Sequence, residues 1–78
     1  MKLEELSEIL KDKYQNAPKN ERVVNIHIFG IEYGEIIKKN NYKVSQIIKL
    51  AEMKKSYTVE LSKGIKLSQF AKLKSSTR

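Results

Sequence analysis

The side chains best suited to chemistry lie close together in the chain. Lys54, Lys55, Ser56, Tyr57, Glu60, Lys63 and Lys66 occupy one short run. Ammonium groups attract phosphate, a hydroxyl can bond its oxygens, and a carboxylate can accept from the cytosine amine. Such a set suits holding a nucleic acid rather than breaking bonds. Lysine lacks the planar fork with which arginine grips guanine, and the chain has only Arg22 and Arg78. Phosphate contact is therefore expected to outweigh base reading. Each residue also has a structural role open to it. Ser56 is placed to cap a helix, Tyr57 to pack its ring on Ile65, and Glu60 to pair with Lys63 or Lys66.

Other chemistries find little to work with. The chain has no cysteine, which removes disulfides, thiol catalysis and Cys-based zinc sites. His27 is the single histidine and has no acid at ligand spacing, so it reads as a packed or surface side chain. Gly30 and Gly34 lie in no GxGxxG pattern and read as places where another helix approaches closely. No nucleophile is paired with a base. A non-enzymatic protein without cofactor or metal is expected.

The charge supports an anionic partner and gives it a location. Sixteen Lys and Arg against nine acids leave +7 on 78 residues. Residues 1–20 are neutral, 21–37 carry −2, and 38–78 carry +9. The basic surface thus belongs to the C-terminal half. Leu, Ile, Val and Phe make up about 28 % of the chain, above the roughly 20 % below which charged chains stay disordered. One small core is expected. The N-terminal stretch turns acidic at once, and no apolar run approaches the roughly 18 residues of a membrane helix. A cytoplasmic protein with no membrane partner is the expectation.

Helices must position these groups. Leu3, Leu6, Leu10 and Tyr14 mark one helical face, with Ile9 beside them, and predict a helix over about 2–15. Pro18 ends it. Val24, Ile28 and Ile31 share one helical face, and Ile26, Phe29, Tyr33 and Ile36–Ile37 an adjacent one. A helix apolar on two faces is expected to be central and buried, beginning after an Asn20 cap and ending at Asn40–Asn41. The alternation of Val24, Ile26 and Ile28 keeps a strand over 23–29 as the alternative, which would make the fold α+β. Ile47, Ile48, Leu50 and Ala51 predict a short helix capped by Ser45. Met53-Lys54-Lys55 is a turn, Tyr57 to Lys63 a second short helix, and Gly64 its C′ residue. Phe70, Ala71 and Leu73 suggest a last helix, with Lys72 and Lys74 as outer contacts.

Two short helices about three residues apart outline a helix-turn-helix. Ile47 and Ala51 would pack on the central helix, Met53 would plug the turn, and Thr58 and Leu61 would face inward. The run from Ser45 to Leu61 resembles the bacterial helix-turn-helix pattern in Ala51, Met53 and Leu61. It departs from that pattern at Glu52, which usually is glycine, and at Ile48, which usually is alanine. More widely, Ile26 to Tyr33 and Ser56 to Leu67 resemble a family of small, largely uncharacterised bacterial helix-turn-helix-like proteins. That resemblance implies an all-helical fold.

The expected architecture is all-α, a four- to five-helix bundle. It comprises one domain over 1–74, with the helix-turn-helix at about 44–64 and a polar tail at 75–78. The expected partner is double-stranded DNA, bound by the seven residues named first. A homodimer through the surface around Ile28–Tyr33 is the leading route to useful affinity. The alternative is a protein-interaction domain using the same helices on a protein partner.

Overall fold

The computed structural model describes residues 1–71. It consists of α1 (Leu3–Asn16), a 3₁₀ turn (Lys19–Glu21), α2 (Arg22–Lys39), α3 (Val44–Leu50) and α4 (Tyr57–Leu67). The fold is all-α, and no strand occurs among the described residues. Residues 23–29 are helical.

The amphipathic rhythm of α1 turns Leu6 and Leu10 wholly inward, with Leu3, Ile9 and Tyr14 packed at the edges. Buried Ser7 bonds back to the Leu3 carbonyl at 2.8 Å, so its hydroxyl is satisfied. Glu5 accepts from the Lys2 amide at 2.8 Å and ties down the helix start. The proposed Asn20 cap is replaced by the 3₁₀ turn, whose Glu21 amide bonds the Pro18 carbonyl at 2.8 Å.

Helix α2 buries only one of its two apolar faces. Ile26, Phe29 and Ile37 are in the core, and Tyr33 and Ile36 pack against it. Val24 is exposed, and Ile28 and Ile31 are half-buried outside that cluster. The expectation of a helix enclosed on both faces is corrected. With only three other helices among the described residues, the second face is left partly uncovered.

Two helix ends share one solution. After α2 the Asn41 amide bonds the Lys38 carbonyl and the Tyr42 amide the Ile37 carbonyl, both at 3.1 Å. After α3 the Glu52 amide bonds Lys49 at 3.0 Å and the Met53 amide bonds Ile48 at 3.1 Å. Each is a Schellman end, whose C′ residue must be left-handed. Asn41 (φ 56°) tolerates this; Glu52 (φ 59°) does so at a cost. The turn therefore keeps the backbone shape that glycine would serve. Glu52 also reaches Lys11 at 3.0 Å, but its side chain is 70 % exposed, where such a pair is worth at most about 1 kcal/mol. Left-handed strain of roughly 1–2 kcal/mol outweighs it. Glu52→Gly is expected to raise stability slightly, by at most about 1 kcal/mol after the added chain entropy of glycine, measured by urea unfolding.

Helix α3 begins at Val44 behind an extended Lys43, so Ser45 lies inside the helix and does not cap it. Its Ile47 and Ile48 and the following Ala51 are buried. They belong to a helix that rests chiefly on α1 and α4, not on α2 as expected. The flank of α2 that α3 would have used is taken by α4. The connection to α4 spans Ala51–Ser56 rather than about three residues, because the Schellman end consumes its first half.

The principal contact of the fold is between α2 and α4. A β-carbon added to Gly30 would stand 2.7 Å from the Gly64 backbone, and one on Gly64 would stand 2.6 Å from the His27 carbonyl oxygen. Gly34 meets the Ser68 side chain in the same way. The pairs Gly30–Gly64 and Gly34–Ser68 advance together, so the two helices run side by side in the same direction. Gly64 is thus buried mid-helix, not at C′, and α4 continues to Leu67. Phe70 sits in the turn that closes α4 and Ala71 in no helix, so neither begins the expected last helix. Leu73, Lys72, Lys74 and the 75–78 tail lie outside the described residues.

Candidate nucleic-acid interface

The segment leading into α4 holds Lys54, Lys55 and Ser56, all exposed. Ser56 occupies the cap position but has helical backbone angles, φ −59° and ψ −23°, and makes no side-chain cap bond. Its expected capping role is corrected, since a capping side chain needs an extended backbone. The Lys54 and Lys55 carbonyls instead take the Tyr57 and Thr58 amides, both at 3.0 Å. Among the described residues the amides of Lys54, Lys55 and Ser56 make no backbone hydrogen bond. Groups free to meet an anion lie one step ahead of the helix.

Along α4 the inward side carries Leu61, Gly64 and Ile65. On the opposite side, Val59, Ser62 and Lys66 follow at helical spacing and are exposed. Lys55 prolongs that line, which covers about 16 Å of axis. Lys63 lies beside it, also exposed. Val59, 58 % exposed, stands at its centre. Val59 and Ser62 were not anticipated, although the spacing Lys55–Val59–Ser62–Lys66 is readable once the buried side of α4 is known. A cavity of about 280 Å³ between α3 and α4 is lined by Ile48, Met53 and Thr58 and brings Lys49 beside Lys55. Lys49 thereby joins the cationic group, another residue that sequence spacing did not single out.

Tyr57 and Glu60 take different positions. The Tyr57 ring meets the edge of Tyr14 at 5.3 Å, and the two hydroxyls hydrogen-bond at 3.0 Å. The Arg22 guanidinium lies 5.2 Å over the Tyr14 ring. This half-buried group pins the start of α4 to α1 and α2. The hydrogen bond to Tyr14, with burial adding to it, raises the Tyr57 pKa above the ordinary 10.0. The folded state thus holds this proton more tightly than the unfolded one. Its contribution is intact below pH 10 and is lost as pH rises through the higher folded value. Melting temperature is expected to fall on alkaline titration above about pH 10, and Tyr57→Phe to flatten that fall.

Glu60 accepts from His27 Nε2 at 2.7 Å, across the α2–α4 contact, and its partner within α4 is Lys63 at 3.8 Å. Glu52 turns to Lys11. These two are the only acids in the +9 half of the chain, and both have cationic or imidazole partners. Lys49, Lys54, Lys55 and Lys66 form no ion pair among the described residues. The exposed side of the α3–α4 corner is accordingly positive.

No group of His, Asp or Glu able to hold a metal occurs among the described residues, and none of their helices is long and apolar enough to cross a membrane. A family model described as an HTH-like domain matches residues 2–74. No curated protein and no solved structure matches the chain.

Proposed function

The chain belongs to the HTH-like domain family, and from that premise we propose that it is a non-enzymatic module that binds double-stranded DNA through α4. The observation that carries this reading is the exposed line Lys55–Val59–Ser62–Lys66, flanked by Lys54 and Lys63, with Glu52 and Glu60 turned to other partners. Lys54, Lys55, Lys63 and Lys66 contact phosphates, and the Lys54–Ser56 amides add donors at the helix start. Ser56 and Ser62 offer hydroxyls to the groove, and the Val59 methyl groups suit the thymine methyl. Tyr57 and Glu60 hold α4 in place rather than reading bases. The lysine-rich surface favours attraction to the backbone over strong sequence selection. A cytoplasmic setting, where DNA is at hand, accords with the cysteine-free composition.

Binding of a short duplex followed across a salt series tests this. The affinity should fall with a log–log slope of about −0.9 for each phosphate neutralised, and NMR shifts should concentrate on residues 54–66. A flat slope, or shifts confined to α1, excludes the reading. The exposed Val59 and the scarcity of arginine favour, as the second reading, an acidic protein surface as the partner of the same helix.

A further inference from the structure

Helix α2 presents a second surface that the DNA reading does not use. Val24 is 51 % exposed, and Ile28 and Ile31 lie outside both the core and the side chains packed on it. Steps of four and three residues place these three in a single seam, the spacing by which two helices interlock. The same steps extend the seam to Glu21 at one end and to Glu35 and Lys38 at the other. All three charged residues are exposed and make no ion pair among the described residues.

The charges decide what can cover this face. A second α2 laid parallel in register would set Glu21 on Glu21, Glu35 on Glu35 and Lys38 on Lys38. Laid antiparallel about a two-fold axis between Ile28 and Ile31, it sets Ile28 on Ile31, Val24 on the stem of Glu35, and Glu21 on Lys38, each twice. Like charges are separated, opposite charges are paired, and the apolar residues meet at the centre. We propose that the chain forms an antiparallel two-fold dimer through this seam of α2. The interface is isologous, so one patch is its own complement. It is also short, which makes the dimer weak, micromolar or looser. Where the DNA reading of α4 holds, the same axis relates two copies of α4 and matches an inverted repeat; the dimer itself does not depend on that reading.

Sedimentation equilibrium of the intact chain, without DNA, tests the proposal. The average mass should climb from 9.1 kDa toward twice that value as concentration rises. Ile31→Glu should keep the chain monomeric while its helical circular dichroism stays unchanged, since Ile31 lies off the core. Lys38→Glu should weaken the dimer by roughly three- to tenfold, because two like-charge pairs replace two opposite ones. Adding Glu21→Lys to Lys38→Glu should restore it. A monomer at every concentration, or a dimer indifferent to Ile31→Glu, overturns the proposal. A dimer broken by Ile31→Glu but untouched by the charge exchange overturns the antiparallel register.

Discussion

Gly64→Ala is expected to destabilise the protein by about 2 kcal/mol or more, although the same change in an isolated helix would stabilise it by about 1 kcal/mol. The added methyl would meet the His27 carbonyl oxygen at 2.6 Å and the backbone of Gly30 at 3.0 Å. Neither obstacle is a movable side-chain tip, so relief requires the two helices to part. Parting them loosens Ile26, Phe29, Leu61 and Ile65, which are at most 6 % exposed. A chain of this size has roughly 4–12 kcal/mol of total stability, and Gly64→Val should leave little of it. Gly34→Ala serves as the internal comparison. Its nearest obstacle is the Ser68 hydroxyl, which can rotate away. The Ser68 β-carbon at 2.8 Å moves only with its backbone, but that residue stands just past the end of α4, so a smaller loss is expected. Urea unfolding of the three variants gives the order directly. Equal losses at positions 34 and 64 would show that backbone contact is not the cause.

Replacing Lys54, Lys55, Lys63 and Lys66 together by alanine should lower affinity for a short duplex on the order of 10³-fold near 0.1 M salt. Each phosphate contact contributes a slope of about −0.9, or roughly eightfold per decade of salt. Four lost contacts should flatten the slope by roughly 3.6 as well as weaken binding. The four side chains are exposed, so thermal unfolding should change little. Val59→Ala gives a contrasting result: the salt slope should stay, while any preference among sequences narrows. If the fourfold variant binds as tightly as the parent, the DNA-facing side of the molecule is elsewhere.

Local pattern revealed the helices better than their mutual arrangement. The register of α1 follows from Leu3, Leu6, Leu10 and Tyr14, and the buried face of α2 from Ile26, Phe29 and Ile37. Both depend on spacing within one element. The strand alternative for residues 23–29 had no local resolution, because Val24, Ile26 and Ile28 satisfy either period. Glycine was the harder case. Its two properties, freedom at positive φ and absence of a side chain, leave the same letter in the sequence. Gly64 followed a short amphipathic run and so read as a helix end. Its actual use is close approach to Gly30, a residue distant in the chain. Meanwhile the left-handed turn fell to Glu52, where the letter argues against it.

The candidate site was legible as a charged segment but not as a face. Lys54, Lys55, Lys63 and Lys66 are exposed as their type suggests. Tyr57 and Glu60 are drawn inward by Tyr14 and His27, partners 43 and 33 residues away. Only the packing of α4 on α2 shows that Val59 and Ser62 occupy the outward line instead.

The side-by-side course of α2 and α4 also bears on how the chain is made. Its central contact joins residues 30 and 64, so α2 cannot bury its glycine flank until nearly the whole domain has been synthesised. A nascent chain ending before Gly64 has α1 and α2 available but lacks part of the helix on which α2 chiefly rests. Folding on the ribosome should therefore come late and in one step, after α4 leaves the exit tunnel, rather than helix by helix as synthesis proceeds.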